Sequence, residues 1–209
     1  MDAEETPLKR PLHTLILISF ILLSCSTQLL AQAEVLSLQH PDDPSVKVEY
    51  FLEKPTGKGP WPTVIFLHGH QEDPRPGGKV LVDWGVIERF AKLGFLAVAV
   101  SQPGYGNSTG TPDFCGEFTQ HAVSAVIRKL RADRYAAANK LVIHGVSRGA
   151  LVAGLIAVHD ESVTGLVLIS GVYDLPQYVA DSTSSRARKM VARSLMEETG
   201  GKTEALTAR

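Results

Sequence analysis

Residues 145–149 read Gly145-Val146-Ser147-Arg148-Gly149, a serine set between two glycines. An apolar run at 140–144 precedes it, and a small-residue helical stretch from 149 to about 159 follows. A serine at a strand-to-helix turn is lifted above the sheet edge, where its hydroxyl can attack a carbonyl carbon. Gly145 and Gly149 permit the sharp backbone turn. Ala150, Ala153 and Gly154 are small enough for the following helix to pack closely on the sheet. The backbone N–H of Arg148, at the start of that helix, points toward the oxyanion that such an attack creates. Ser147 is therefore the candidate nucleophile. The glycine-rich loop Pro103-Gly104-Tyr105-Gly106-Asn107-Ser108 also follows an apolar run. It has neither the lysine of a phosphate-binding loop nor the spacing of a dinucleotide fingerprint, so it reads as a rim loop beside the serine.

The elements that must position Ser147 are legible as apolar runs at 63–67, 95–100, 140–144 and 166–170. Each is short, rich in β-branched residues and without polar alternation, the pattern of parallel strands covered on both faces by helices. Helical periodicity separates them. Val80, Trp84, Ile87 and Ala91 form one stripe ending at Gly94. Phe118, Ala122, Ala125, Val126 and Leu130 form a second, with Arg128, Lys129 and Arg131 on the outer side. Residues 33–38 and 46–52 read as a leading antiparallel pair turned by Pro41-Asp42-Asp43-Pro44, and 185–198 as a basic amphipathic helix with Ala187, Val191 and Leu195 inward. The alternation predicts an α/β fold, a doubly wound and mostly parallel sheet, within one domain over 34–209.

Length and charge agree with a single core. The chain has 209 residues and a formal net charge of −1, a balance that argues against a nucleic-acid-binding surface with its clustered basic excess. Lys9 and Arg10, an apolar run at 15–23 and the small-residue site Ala31-Gln32-Ala33 read as a secretory signal peptide over 1–33. The run falls short of the roughly 20 residues of a membrane span. Leu22-Leu23-Ser24-Cys25 offers a second reading, a lipoprotein box with a lipid anchor at Cys25, although leucine is not the usual small residue there. An exported chain starting near Glu34 is expected, and no transmembrane span after signal removal. Cys115 is then the sole remaining cysteine. With no base or positive charge beside it in sequence, it reads as a partly buried small apolar residue.

Phe66-Leu67-His68-Gly69-His70, Pro103-Gly104-Tyr105-Gly106, Pro112-Asp113-Phe114-Cys115-Gly116, the Ser147 motif and Gly171-Val172-Tyr173-Asp174-Leu175 together resemble exported α/β-hydrolases from residue 46 onward. The likeness is to catalytic domains of the prolyl-oligopeptidase and acylaminoacyl-peptidase type and to dienelactone-hydrolase-like esterases. The resemblance implies a serine hydrolase acting on a small-molecule ester or a peptide, with no metal or organic cofactor. It implies a second oxyanion donor in the backbone N–H of His70, with Gly69 allowing close approach, and leaves the imidazoles of His68 and His70 structural.

It also implies the chain order serine, acid, histidine. The one histidine after Ser147 is His159, near the far end of the helix that the serine opens. About three turns, at about 1.5 Å per residue, carry it away from the hydroxyl. His144 reads as a buried core residue. Asp174 stands where some lipases carry the acid, but its Gly-Val-Tyr-Asp-Leu setting favours a loop-ordering role. The last strands and helices of the fold, the acid and the histidine are thus expected beyond Arg209. The competing expectation is a hydrolase-like domain that binds a ligand or partner without catalysis.

Overall fold

The computed structural model describes residues 33–180 and 185–201. The expected signal peptide and Cys25 lie outside the described residues.

Six strands form one sheet: β1 Glu34–Gln39, β2 Lys47–Glu53, β3 Trp61–Leu67, β4 Leu96–Val100, β5 Ala136–Val146 and β6 Val163–Ile169. Their spatial order is β1-β2-β4-β3-β5-β6. The leading pair is antiparallel and the other four strands are mutually parallel. Helices α1 Lys79–Asp83, α2 Val86–Lys92, α3 Glu117–Ala132, α4 Arg148–His159, α5 Leu175–Ala180 and α6 Arg186–Thr199 connect and follow them. Alternate strand residues feed two cores. Ile65, Leu67, Leu96, Val98 and Val100 pack with Ala122, Val126, Val152 and Ile156 of α3 and α4. Val64, Phe66, Ala97 and Ala99 pack with Leu81 and Ile87 of α1 and α2. The sheet is doubly wound, as the alternating pattern predicts.

The sequence reading departs from this architecture in five places. The stripe from Val80 to Ala91 is two helices, because Gly85 takes φ 65° and breaks the helical path. Trp84 consequently turns outward and is exposed. Strand β5 starts earlier than predicted, at Ala136 opposite Trp61, and its first half is half-buried or exposed. Gly154 has open space where a Cβ would stand, so close helix–sheet packing falls to Gly149, Ala150 and Ala153 instead. Finally, β6 is not covered on both faces: Leu166, Val167, Leu168 and Ile169 are all partly exposed. A short helix, α5, is also present where the sequence reads only as a loop.

Candidate active site

The turn between β5 and α4 is tight because of what its glycines allow. A Cβ on Gly145 would lie 2.2 Å from the carbonyl oxygen of Gly149, and one on Gly149 would lie 2.3 Å from the carbonyl oxygen of Leu67. Only glycine permits these backbone approaches. Ser147 between them takes φ 52°, ψ −114°, outside the regions an L-residue prefers. Such a conformation costs about 1–3 kcal/mol and persists because its surroundings hold it. Those surroundings are specific. The Ser147 N–H donates to the carbonyl of Ile169 at the end of β6, 2.7 Å away. Its own carbonyl accepts the N–H groups of Ala150 and Leu151, at 3.0 and 3.2 Å, which starts α4.

The end of β3 meets this turn. A Cβ on Gly69 would stand 3.2 Å from the Val146 carbonyl oxygen and 3.4 Å from Ser147 Cβ, so the His68-Gly69-His70 segment lies against the serine. His70, Ser147 and Arg148 line one cleft with Phe114, Leu151, Val172 and residues of α6. These side chains leave about 20 Å³ of free space between them. His70 and Ser147 also line a second, more open groove bordered by Val80, Leu81, Trp84 and Met190. The three residues singled out in the sequence are thereby brought together.

The two histidines of the segment differ. His68 is buried, and its Nδ1 bonds the Gly69 carbonyl at 2.8 Å while its Nε2 faces the Gln102 N–H at 3.3 Å. Nδ1–H donating and Nε2 accepting satisfies the neutral ring completely. Burial pushes its pKa down to about 4. His70 is partly exposed, and burial first, then the Arg148 charge, holds its imidazole below the ordinary histidine value. Its Nδ1 lies 3.4 Å from the Tyr105 hydroxyl. Tyr105 is buried against both His70 and Arg148, so the 103–108 loop supports the site through this side chain; none of its residues lines the two cavities beside Ser147, where the sequence predicts a rim. Glu49 fastens that loop by accepting from Ser101 Oγ at 2.9 Å and from the Asn107 N–H at 3.0 Å.

Other sequence candidates are not brought to Ser147. The Asp174 carboxylate accepts the Gln177 N–H at 3.0 Å and caps α5. It is exposed and lines a separate surface cavity with Tyr173 and Arg188. That is a loop-ordering role. His159 ends α4, and His144 is half-buried against Phe66 rather than enclosed in the core. Cys115 is fully buried, more so than expected, with its Sγ 3.5 Å from the Arg148 carbonyl.

Sequence reasoning missed the partner of the Arg148 side chain. Glu198, near the end of α6, accepts from both terminal nitrogens of Arg148 at 2.6 Å each. The guanidinium lies 5.4 Å from the Tyr105 ring centroid and 5.3 Å from that of Phe114. Removing one member of such a buried pair strands the other charge, at about 3–5 kcal/mol. A signal was available: an arginine opening an otherwise small and apolar helix is poorly placed to reach water and needs a carboxylate.

Over residues 60–204 the sequence matches the family model described as serine aminopeptidase, S33. The chain belongs to this family. No curated protein sequence matches it. Among solved structures, this S33-family chain is similar to an esterase of Pyrococcus furiosus, Pf2001, with a TM-score of 0.60 and 20% identity over 81% of the chain. A puromycin-hydrolyzing peptidase of Mycobacterium tuberculosis is similar with a TM-score of 0.66 and 18% identity over 85% of the chain. The chain spans 63% of that esterase and 28% of that peptidase. These likenesses establish the α/β-hydrolase fold read from the motifs. Among the described residues, no helix is long and apolar enough to cross a membrane.

Proposed function

We propose that this chain carries the nucleophile of an exported serine hydrolase that cleaves an ester or peptide bond of a small substrate. Ser147 attacks the carbonyl carbon, and the N–H groups of His70 and Arg148 receive the negative charge that moves onto the carbonyl oxygen. The observation that carries this reading is the strained backbone of Ser147, held at φ 52° between two glycines and directed at a cleft shared with His70 and Arg148. Backbone strain of this kind, at a residue that lines a cleft, supports a functional site there. Membership of a hydrolase family agrees with it.

A serine hydroxyl needs an imidazole to take its proton. His159 is carried off along α4, and Asp174 is committed to capping α5. The base and its acid are therefore proposed to lie outside these 209 residues, and the chain alone is expected to turn over negligibly. Those same placements of His159 and Asp174 favour a second reading, a hydrolase-like domain that binds through the cleft without catalysis.

A fluorophosphonate probe separates the two. Applied to the protein expressed with its downstream coding sequence, it should label rapidly, and Ser147→Ala should abolish the labelling. Absence of labelling in that full-length form would overturn the nucleophile assignment. Export is tested separately, by N-terminal sequencing of secreted protein, with a start near Glu34 expected.

A further inference from the structure

Part of the wall of the cleft that holds Ser147 comes from α6, through Met190, Val191 and Ser194. This helix has little apolar hold on the rest of the chain. Of its residues only Ser194 and Leu195 are buried; Arg186 and Arg193 stand in solvent, and Arg188 is half-buried over the Tyr178 ring. A segment with so few apolar anchors sits at the low-stability end of a structure unless something else fastens it. Glu198 is that fastening. Both its oxygens hold the Arg148 guanidinium at 2.6 Å, and Oε2 also accepts the Phe114 N–H at 2.8 Å. The Arg148 side chain is 3% exposed and that of Glu198 12%, so the pair is shielded from water and salt. Arg148 Nε is buried with no hydrogen-bond partner, which leaves the two-pronged contact with Glu198 as the main polar restraint on the guanidinium.

Arg148 is the residue after Ser147, so α6 is tied directly to the reacting turn. The cleft wall is apolar, formed by Phe114, Leu151, Val172, Leu175, Met190 and Val191. Its one charged neighbour is neutralised by Glu198 and offers no attraction to an anionic substrate group. With only about 20 Å³ of free space, little more than a water molecule needs, the cleft as it stands has room for no more than a short group. We infer that Glu198 is a positioning residue that, through Arg148, holds α6 as the wall of a short apolar acyl pocket, so that the site selects small uncharged aliphatic acyl groups. Breaking the pair lets α6 move away and admits longer chains. The inference rests on Ser147 being the nucleophile only for its substrate half.

Full-length protein should be compared with Glu198→Gln and Met190→Ala in two measurements. In hydrogen exchange, the amides of residues 190–198 should exchange at least about tenfold faster in Glu198→Gln and near the parental rate in Met190→Ala. In kcat/KM for p-nitrophenyl acetate, butyrate and decanoate, the parent should favour butyrate over decanoate by about tenfold or more. Both variants should narrow that ratio, chiefly through a lower KM for decanoate. Should Glu198→Gln fail to fold, Met190→Ala still tests the wall and Glu198→Asp, which is too short for the two-pronged contact, tests the tie. Unchanged exchange in a folded Glu198 variant overturns the tie, and a parental preference for decanoate or for an anionic acyl group overturns the pocket. If no ester acylates the parent, the nucleophile assignment fails, and hydrogen exchange alone decides the tie.

Discussion

Strands β4 and β6 are near twins in composition and opposites in surroundings. β4 reads Leu-Ala-Val-Ala-Val and is entirely buried. β6 ends Leu166-Val167-Leu168-Ile169, yet those residues are 38–44% exposed. β4 lies between β2 and β3, with α1 and α2 packed on one face and α3 on the other. Among the described residues, β6 pairs with β5 alone. Apolar content states how much cover a strand requires, whereas position in the sheet decides how much it receives. Ser147 sits where the two regimes meet, resting on the buried end of β3 through Gly69 and on the exposed β6 through the Ile169 carbonyl.

The contrast is broken most severely by truncating matched leucines. Leu96→Ala in β4 should cost about 2–5 kcal/mol in urea unfolding, through lost burial and the cavity left behind. Leu168→Ala in β6 should cost about 1 kcal/mol or less, because much of its side chain already meets water. Equal costs at the two positions would show that β6 is covered in solution.

Acid sharpens the contrast, because the buried side of the site holds His68. The His68 ring is neutral in the fold, with a pKa near 4 against an ordinary 6.5. Between those values the unfolded chain binds more protons, so stability rises with pH across this window. His68 therefore contributes fully above about pH 6.5, and roughly 3 kcal/mol is lost as pH falls to about 4. A protonated Nε2 would also aim a hydrogen at the Gln102 N–H. Urea unfolding at pH 7 and pH 4.5 should show this loss in the parent and a flatter profile in His68→Asn. Parallel profiles would remove His68 as the cause.

The smallest effect belongs to the β6 surface. Leu168→Lys should change stability by no more than about 0.5 kcal/mol. It should nonetheless reduce concentration-dependent association in sedimentation, since charge on an open strand edge opposes pairing between copies. Unchanged association would point to a surface other than β6.

How much of this was legible follows from how local each feature is. The turn at Ser147, strands β3, β4 and β6 and the N-terminal antiparallel pair depend on neighbours a few residues away, and they were read to within a few positions. Strand β5 was read short because Ala136-Ala137-Ala138-Asn139 has no strand-like alternation; it pairs at its start because Trp61 lies opposite. The break at Gly85 was hidden because Val80, Trp84, Ile87 and Ala91 keep helical spacing across it. Asp174 was read as a loop-ordering residue, and the helix α5 that it caps was not seen.

By itself, the sequence determined that a serine would stand at a strained turn between two glycines, since backbone permissiveness and hydrophobic periodicity are encoded in adjacent residues. Only the tertiary structure decided what meets that turn. Glu198 lies 50 residues from Arg148 along the chain, and either charge would be equally at home in water. What joins them is the path of α6 over the cleft, which sequence spacing does not specify. The same holds for β6, whose residues call for burial while its place in the sheet leaves them partly exposed.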